Sequence, residues 1–352
     1  MRVFLGLSLF FAIVSANAST VYNVTDLGTL GGDSSVAFAV SGNGQAAGWA
    51  TDPLGNTEAV IFGGAGPQSL GGGQATGINS SGQVSGTVSS NGTTHGVVWS
   101  GSSVLDFGAN TSAAAINDAG QVAGSTNHAF LYQSGAETDL GTLAGGGWTL
   151  AEGLSGSGDV AGYGDTAAGV RGFVWTGAGL VELGTLGGGN SYGMAVDDSG
   201  AVAGSAAVAA GYLHAAEWLN GAAVDLGTLG GNNSYAYGIN DAGMIVGCSW
   251  IAGNAETHGF VVLNGVMIDL NSLLSAADGG WVITAAYGIN DKGQIVGEAV
   301  YDGVSHAVLL NDPPADPSFS GPGSATPEPA TWLLSGLPLL LLMTRSRLSR
   351  RN

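Results

Sequence analysis

The sequence predicts an all-β fold: a seven-bladed β-propeller of four-stranded antiparallel blades, closed by a strand from the N-terminus. Three observations predict it. A unit of 38–50 residues recurs seven times between positions 21 and 310. Each unit reads as short strands joined by tight turns, and no segment of the repeated body has a helical period. The seventh unit lacks its fourth strand, while an unattached copy of that strand precedes the first unit.

The units align on one polar residue: Ser41, Asn79, Asn117, Ser155, Asp197, Asn240 and Asn290. A glycine follows three positions later in all seven, from Gly44 to Gly293. Ser, Asn or Asp at the first position of a type I turn, with Gly at the fourth, is the chemistry of a hairpin. Asp118, Asp241 and Asp291 are turn residues on this reading, not an acidic active site.

Strand a precedes the turn. Two and four residues before each anchor stand Ala or Gly, as in Ala37 and Ala39 or Ala236 and Gly238. A period of two puts both on one face, so strand a is expected where space is short, at the axis. Strand b follows the turn and carries a glycine in every unit, from Gly48 to Gly297. Strand c opens on His95, His128, His214, His258 or His306, with Glu58 and Arg171 in units one and four, and its second residue is always Ala or Gly. Strand d is the "DLGTL" segment, ending in unit six with residues 268–273.

The orphan copy of strand d, residues 24–30, completes seven sets of four. It is expected to pair antiparallel with residues 305–310. Closure covers two edges that would otherwise template aggregation. The alternative, an open β-solenoid, gives no reason for an extra strand at one end and a missing one at the other.

The recurring "HAF", "GIND-G-VVG" and "DLGTLGG" elements resemble the extracellular HAF-repeat family over roughly residues 21–310. Units one and four depart from it through Glu58, Arg171 and "GLSGSG". The resemblance implies a secreted repeat protein and supplies no catalytic residues.

Both ends read as processing segments. Residues 1–18 combine Arg2, an apolar run and a small-residue end at Ala18, the pattern of a secretory signal peptide. Residues 312–326 form a Pro-rich linker. Residues 327–352 carry Pro327, Glu328 and Pro329, an apolar stretch over 330–343 expected to form a short helix, and a tail with Arg345 and Arg347. This segment resembles the PEP-CTERM sorting signal of Gram-negative bacteria. The resemblance implies transient insertion into the membrane, processing by a protease of exosortase type, and a link to exopolysaccharide. The expected destination is the cell surface or the extracellular matrix.

Of 26 acidic residues only Glu328 lies beyond position 326. Of seven basic residues, Arg2 and the four tail arginines leave Arg171 and Lys292. The body therefore carries 25 acids against two bases, a net charge of −23. Such a surface repels nucleic acid and anionic membranes. The single cysteine, Cys248, excludes an intramolecular disulfide and is expected to pack rather than react.

The five histidines occupy equivalent positions, so they diverge around a ring, whereas a metal or catalytic set must converge. No nucleophile elbow, P-loop or HExxH motif occurs. The expectation is no catalytic residue, no metal and no cofactor. Ligand contacts are expected where units differ, on the face formed by the d–a and b–c loops. That face carries the off-pattern aromatics Trp148, Tyr192, Tyr212, Tyr235, Trp250 and Trp281. The functional expectation is an exported, non-enzymatic binding or structural protein, with a surface glycan or exopolysaccharide as partner. Two alternatives stand beside it: a propeller enzyme that degrades polysaccharide, with Glu152 among its acids, and a Ca²⁺-stabilised scaffold. Arg171 is expected to form a local ion pair, with Glu152 as one partner.

Overall fold

The computed structural model describes residues 21–311. The signal-peptide, linker and sorting-signal expectations, with Ala18, Pro327, Glu328, Pro329, Arg345 and Arg347, lie outside them. The described chain forms seven four-stranded antiparallel sheets. Blade 1 consists of Ser35–Val40, Ala46–Thr51, Thr57–Gly63 and Gly66–Gly72, paired in that order. Blades 2 to 6 repeat this order of strands a, b, c and d. Blade 7 takes a, b and c from Val282–Ile289, Ile295–Tyr301 and Val304–Asn311. Its fourth strand is Asn23–Asp26. Among the described residues no helix is long and apolar enough to cross a membrane.

The closing strand is shorter than residues 24–30. Val24 pairs with Leu310 and Asp26 with Val308, and Leu27 N–H adds a last bond to the Ala307 carbonyl at 2.9 Å. Asp26 ends the strand because its Oδ1 accepts from Gly28 N–H at 2.8 Å, an Asx turn. Asp106, Asp139 and Asp225 likewise accept from the N–H groups of Gly108, Gly141 and Gly227, although only at Asp139 does the strand also stop at the aspartate. The "LGTLGG" after Asp26 is thus a connection to the next blade rather than strand. In unit six, likewise, the strand stops at Asp269 and a 3₁₀ turn occupies Leu270–Leu273.

The leucines of this connection are wedges between blades. Leu140 and Leu143 are buried with Ala129 and Leu131 of blade 3 and Ala151, Val160 and Phe173 of blade 4. Phe173 is wholly enclosed there; burying one such side chain is worth about 1.5–3 kcal/mol. The closure uses the same packing, with Val296 and Ala307 of blade 7 meeting Ala37, Val60 and Phe62 of blade 1. A buried Ser or Thr also recurs at five of the seven junctions, as Ser35, Thr111, Thr149, Ser191 and Ser234. Thr149 Oγ1 accepts from Ala129 N–H and donates to the Gly141 carbonyl, and Ser35 Oγ accepts from Ala307 N–H at the closure.

Strand a is innermost, as expected, and each strand a packs on the next around a closed ring. Its period of two fails, however. In all seven blades the a–b register shifts between the residues four and two before the anchor. The residue three before the anchor is therefore the extra member of a β-bulge, with no partner on strand b. The strand-b glycine explains the tight approach around it. A Cβ at Gly162 would stand 2.0 Å from the Leu150 carbonyl oxygen, and one at Gly247 2.0 Å from that of Tyr235.

The a–b turns brace each other. Asn79 Nδ2 donates to the Asn117 carbonyl at 3.1 Å, Asn117 to that of Ser155 at 2.9 Å, and Asn290 to that of Ser41 at 2.9 Å. Asp118 accepts from Ser80 N–H, and Asp291 from Asp241 N–H. These aspartates hold the preceding blade's turn, a use that accounts for their place in the repeat.

Candidate functional site: an aromatic arc at the axis

A bulge re-aims one side chain. On the innermost strand the free direction is the axis. The seven bulge residues are Phe38, Thr76, Ala114, Glu152, Met194, Tyr237 and Tyr287, all half-buried. The repeat fixes their backbone and leaves their identity free. Large rings gather on one side: Tyr287 of blade 7 lies 5.3 Å from Phe38 of blade 1 and 5.3 Å from Tyr237 of blade 6. Tyr235 stacks beside Tyr237 at 6.5 Å with an interplanar angle of 10°. Blades 2 and 3 offer only Thr76 and Ala114 at the same positions.

The arc continues into blades 5 and 4. Tyr192, on strand a of blade 5, meets Tyr163 of blade 4 at 5.2 Å, and Tyr163 meets Trp148 at 6.1 Å. Both contacts are edge to face, at 77° and 87°. Asp165 holds the approach of Trp148 by accepting from the Gly147 and Trp148 N–H groups at 2.8 and 2.9 Å.

Three of the six aromatics picked from the sequence thus enter the arc: Trp148, Tyr192 and Tyr235. The other three lie elsewhere. Tyr212 sits in the b–c turn of blade 5, with 44% of its surface exposed. Trp250 ends strand b of blade 6 against Gly231. Trp281 packs on Tyr301 at 4.8 Å and on His306 at 5.2 Å. Sequence reasoning missed Phe38, Tyr163, Tyr237 and Tyr287, because they belong to regular strands. A sequence signal existed only for Tyr163, which follows the strand-b glycine Gly162; the other three stand at bulges, which the strand pairing reveals.

Two carboxylates accompany the arc. Glu152 accepts a hydrogen bond from Tyr163, and burial pushes its carboxyl above the usual glutamate range against that bond. Glu298, the residue after the blade 7 strand-b glycine, accepts from the Ser305 hydroxyl. Burial, and then the charge of Glu298, push the Tyr287 phenol up to about 12; burial and then Glu152 do the same for Tyr163, also to about 12. These phenols stay neutral at physiological pH. Cys248 is buried with its Sγ 3.6 Å from the Tyr237 hydroxyl, and burial raises its thiol, so it packs and does not present a thiolate.

Glu152 and Arg171 are not partners. Arg171 Nε lies 3.4 Å from Glu182 Oε1, and its Nη1 donates to the carbonyls of Val170 and Gly189. This pair occupies the positions that hold a His–Asp clasp in other blades. His95–Asp106, His128–Asp139 and His214–Asp225 each meet at 3.0 Å, and His258–Asp269 at 2.7 Å. Their members stand eleven residues apart, as do Arg171 and Glu182. At the closure His306 Nδ1 lies 3.1 Å from Asp26 Oδ2, close enough for an ion pair but without hydrogen-bond alignment. The histidines therefore join strand c to strand d in their own blades. Among the described residues no three His, Cys, Asp or Glu side chains gather to hold a metal ion.

No family model matches the chain, and no curated protein matches it in sequence. Solved structures share its fold. A structure of YCF48 bound to D1 peptide is similar at 11% identity with a TM-score of 0.50, over 87% of this chain and 99% of that one. The β-propeller domain of the trilobed protease from Pyrococcus furiosus is similar at 10% identity with a TM-score of 0.49, over 66% and 82%. At these identities the likeness is one of fold.

Proposed function

We propose that the protein is an exported, non-enzymatic member of the HAF-repeat family that binds a surface glycan or exopolysaccharide through the axial aromatic arc. The observation that carries this reading is the concentration of half-buried rings at the positions where blades differ, within a frame that is otherwise repeated. Rings set among polar groups are a common means of holding sugars and their substituents. The sorting-signal resemblance supports a place at the cell surface or in the matrix, with an exosortase-type protease as processing partner.

The test is retention of the protein on the polysaccharide of its own organism, together with a glycan array. Binding that falls when Tyr192 or Tyr287 is changed to Ala supports the reading; no binding to any glycan overturns it. Glu152 and Glu298 favour one second reading, cleavage of polysaccharide. They come from blades 4 and 7, and their hydrogen bonds go to hydroxyls within their own blades. Release of reducing ends that disappears in Glu152→Gln and Glu298→Gln would replace binding by hydrolysis.

A further inference from the structure

We propose that the arc recognises a protonated amino group carried on the glycan, so that its ligand is a polysaccharide with free amines rather than acetamides. This rests on the glycan-binding reading above and names the chemistry that the site selects. Three features point to a cation.

The first is ring geometry. A sugar stacks on an open, flat ring face. Here Phe38 meets Tyr287 at 72°, Tyr192 meets Tyr163 at 77°, and Trp148 meets Tyr163 at 87°. Tyr237 meets Tyr287 at 41°, and only Tyr235 and Tyr237 lie parallel, at 10°. Most neighbouring rings thus stand as walls rather than as one platform. A small ammonium group, unlike a sugar ring, needs no flat platform and is attracted by the negative ring faces, an interaction that strengthens as water is excluded.

The second is unmatched charge. Glu152 and Glu298 are half-buried carboxylates whose hydrogen bonds come from neutral hydroxyls. Neither has a cationic partner among the described residues. Arg171 is held by Glu182 and the Gly189 carbonyl, and Lys292 sits in an a–b turn, at the other end of strand a from Trp148. A buried carboxylate without a counter-charge is costly, and an entering ammonium would supply one.

The third is the approach. With 25 acids against two bases in the body, the field around the propeller attracts cations from every side. That field alone is unspecific. The arc and its carboxylates give it a destination.

Acetylation offers a clean control, because it removes the charge and keeps the sugar. Purified protein is titrated with a glucosamine tetramer and with the N-acetylglucosamine tetramer, at a pH where the free amines are protonated. The same titrations use Glu152→Gln, Tyr237→Leu and a surface control, Asp302→Asn. The proposal expects the amine form to bind at least about tenfold more tightly than the acetylated form. It expects Glu152→Gln and Tyr237→Leu to reduce that preference several-fold, with Asp302→Asn neutral. Equal binding of both tetramers overturns the inference and leaves glycan binding standing. So does binding of another surface glycan by a protein that takes neither tetramer. A preference that survives both axial substitutions is diffuse attraction and also overturns it. No binding to any glycan removes the broader reading as well. A melting curve for each variant separates lost binding from lost folding, and Tyr237→Phe, which keeps the ring, is expected to retain the preference.

Discussion

The rim and the axis of the propeller treat the same repeat in opposite ways. At the rim, five of seven blades place a His on strand c against an Asp on strand d. Blade 4 keeps the device with Arg171 and Glu182, and blade 1 keeps a hydrogen bond between Ser69 and Glu58. At the axis, the seven bulge residues include two tyrosines and no other duplicate. The difference teaches which positions build the ring and which are free to vary once it is built. A rim substitution should alter stability and spare the site, and an axial one should do the reverse.

The largest effect should come from opening the ring. Deleting Asn23–Asp26 removes the partner of strand c in blade 7 and bares an edge from Val308 to Asn311. It also removes Asp26 from His306. We expect loss of the single cooperative unfolding transition, and self-association through the bared edge. Chemical denaturation and gel filtration check this. A small shift of an otherwise unchanged transition would mean that blades 1 and 7 do not depend on closure, as in a solenoid whose end frays.

Next in size is the belt of turns. Asn117 is buried, accepts from Ala119 and Gln121 N–H, and donates to Gln121 and the Ser155 carbonyl. Asn117→Ala leaves several of these groups without partners, at a cost of about 1–3 kcal/mol. Ser155, its equivalent in blade 4, accepts from Asp159 N–H and meets the Ser157 hydroxyl. Ser155→Ala should therefore cost less. Equal shifts in urea midpoint would show that the carbonyl bridge between blades contributes nothing.

How far this contrast was legible in the sequence depends on the kind of signal. The anchors were legible because a turn restricts residue type: the glycine three positions on adopts φ between +73° and +96° in all seven units. The closure followed from counting strands, without reference to contacts. The clasps were present as a constant spacing of eleven between His95 and Asp106, His128 and Asp139, and Arg171 and Glu182. That spacing assigns Arg171 to Glu182 rather than to Glu152, its expected partner. The bulge was not legible, since the bulged positions hold Phe, Thr, Ala, Glu, Met and Tyr. It is a consequence of strand a approaching a strand-b glycine, and only the pairing reveals it. Phe38, Tyr237 and Tyr287 were hidden for that reason.

The axis can be sharpened by pH. Burial raises the Glu152 carboxyl in the folded protein above its unfolded value near 4.3. The folded state then holds the proton more tightly than the unfolded chain. Native stability must fall as pH rises from the ordinary glutamate range through the raised value. Glu152→Gln removes that slope. The variant should be more stable than the parent above this window and indistinguishable from it below, as read from urea midpoints across pH. Parallel curves would mean that the carboxyl is not buried in solution.

The smallest effect belongs to the one rim clasp with exchanged chemistry. Arg171→His with Glu182→Asp would rewrite blade 4 in the form of its neighbours. An exposed ion pair is worth about 0.2–1 kcal/mol, and half of the Glu182 side chain is in solvent. Each single change should therefore cost no more than about 1 kcal/mol. The double change should recover part of the loss. Recovery cannot be complete, because Arg171 also donates to the Val170 and Gly189 carbonyls. A histidine whose Nδ1 faces the introduced aspartate does not reach both. The shortfall in a double-mutant cycle thus measures the arginine's second task, tying strand c of blade 4 to the first residues of blade 5. If the double variant matches the parent, Arg171 is a clasp like the others, and blade 4 differs from its neighbours in spelling alone.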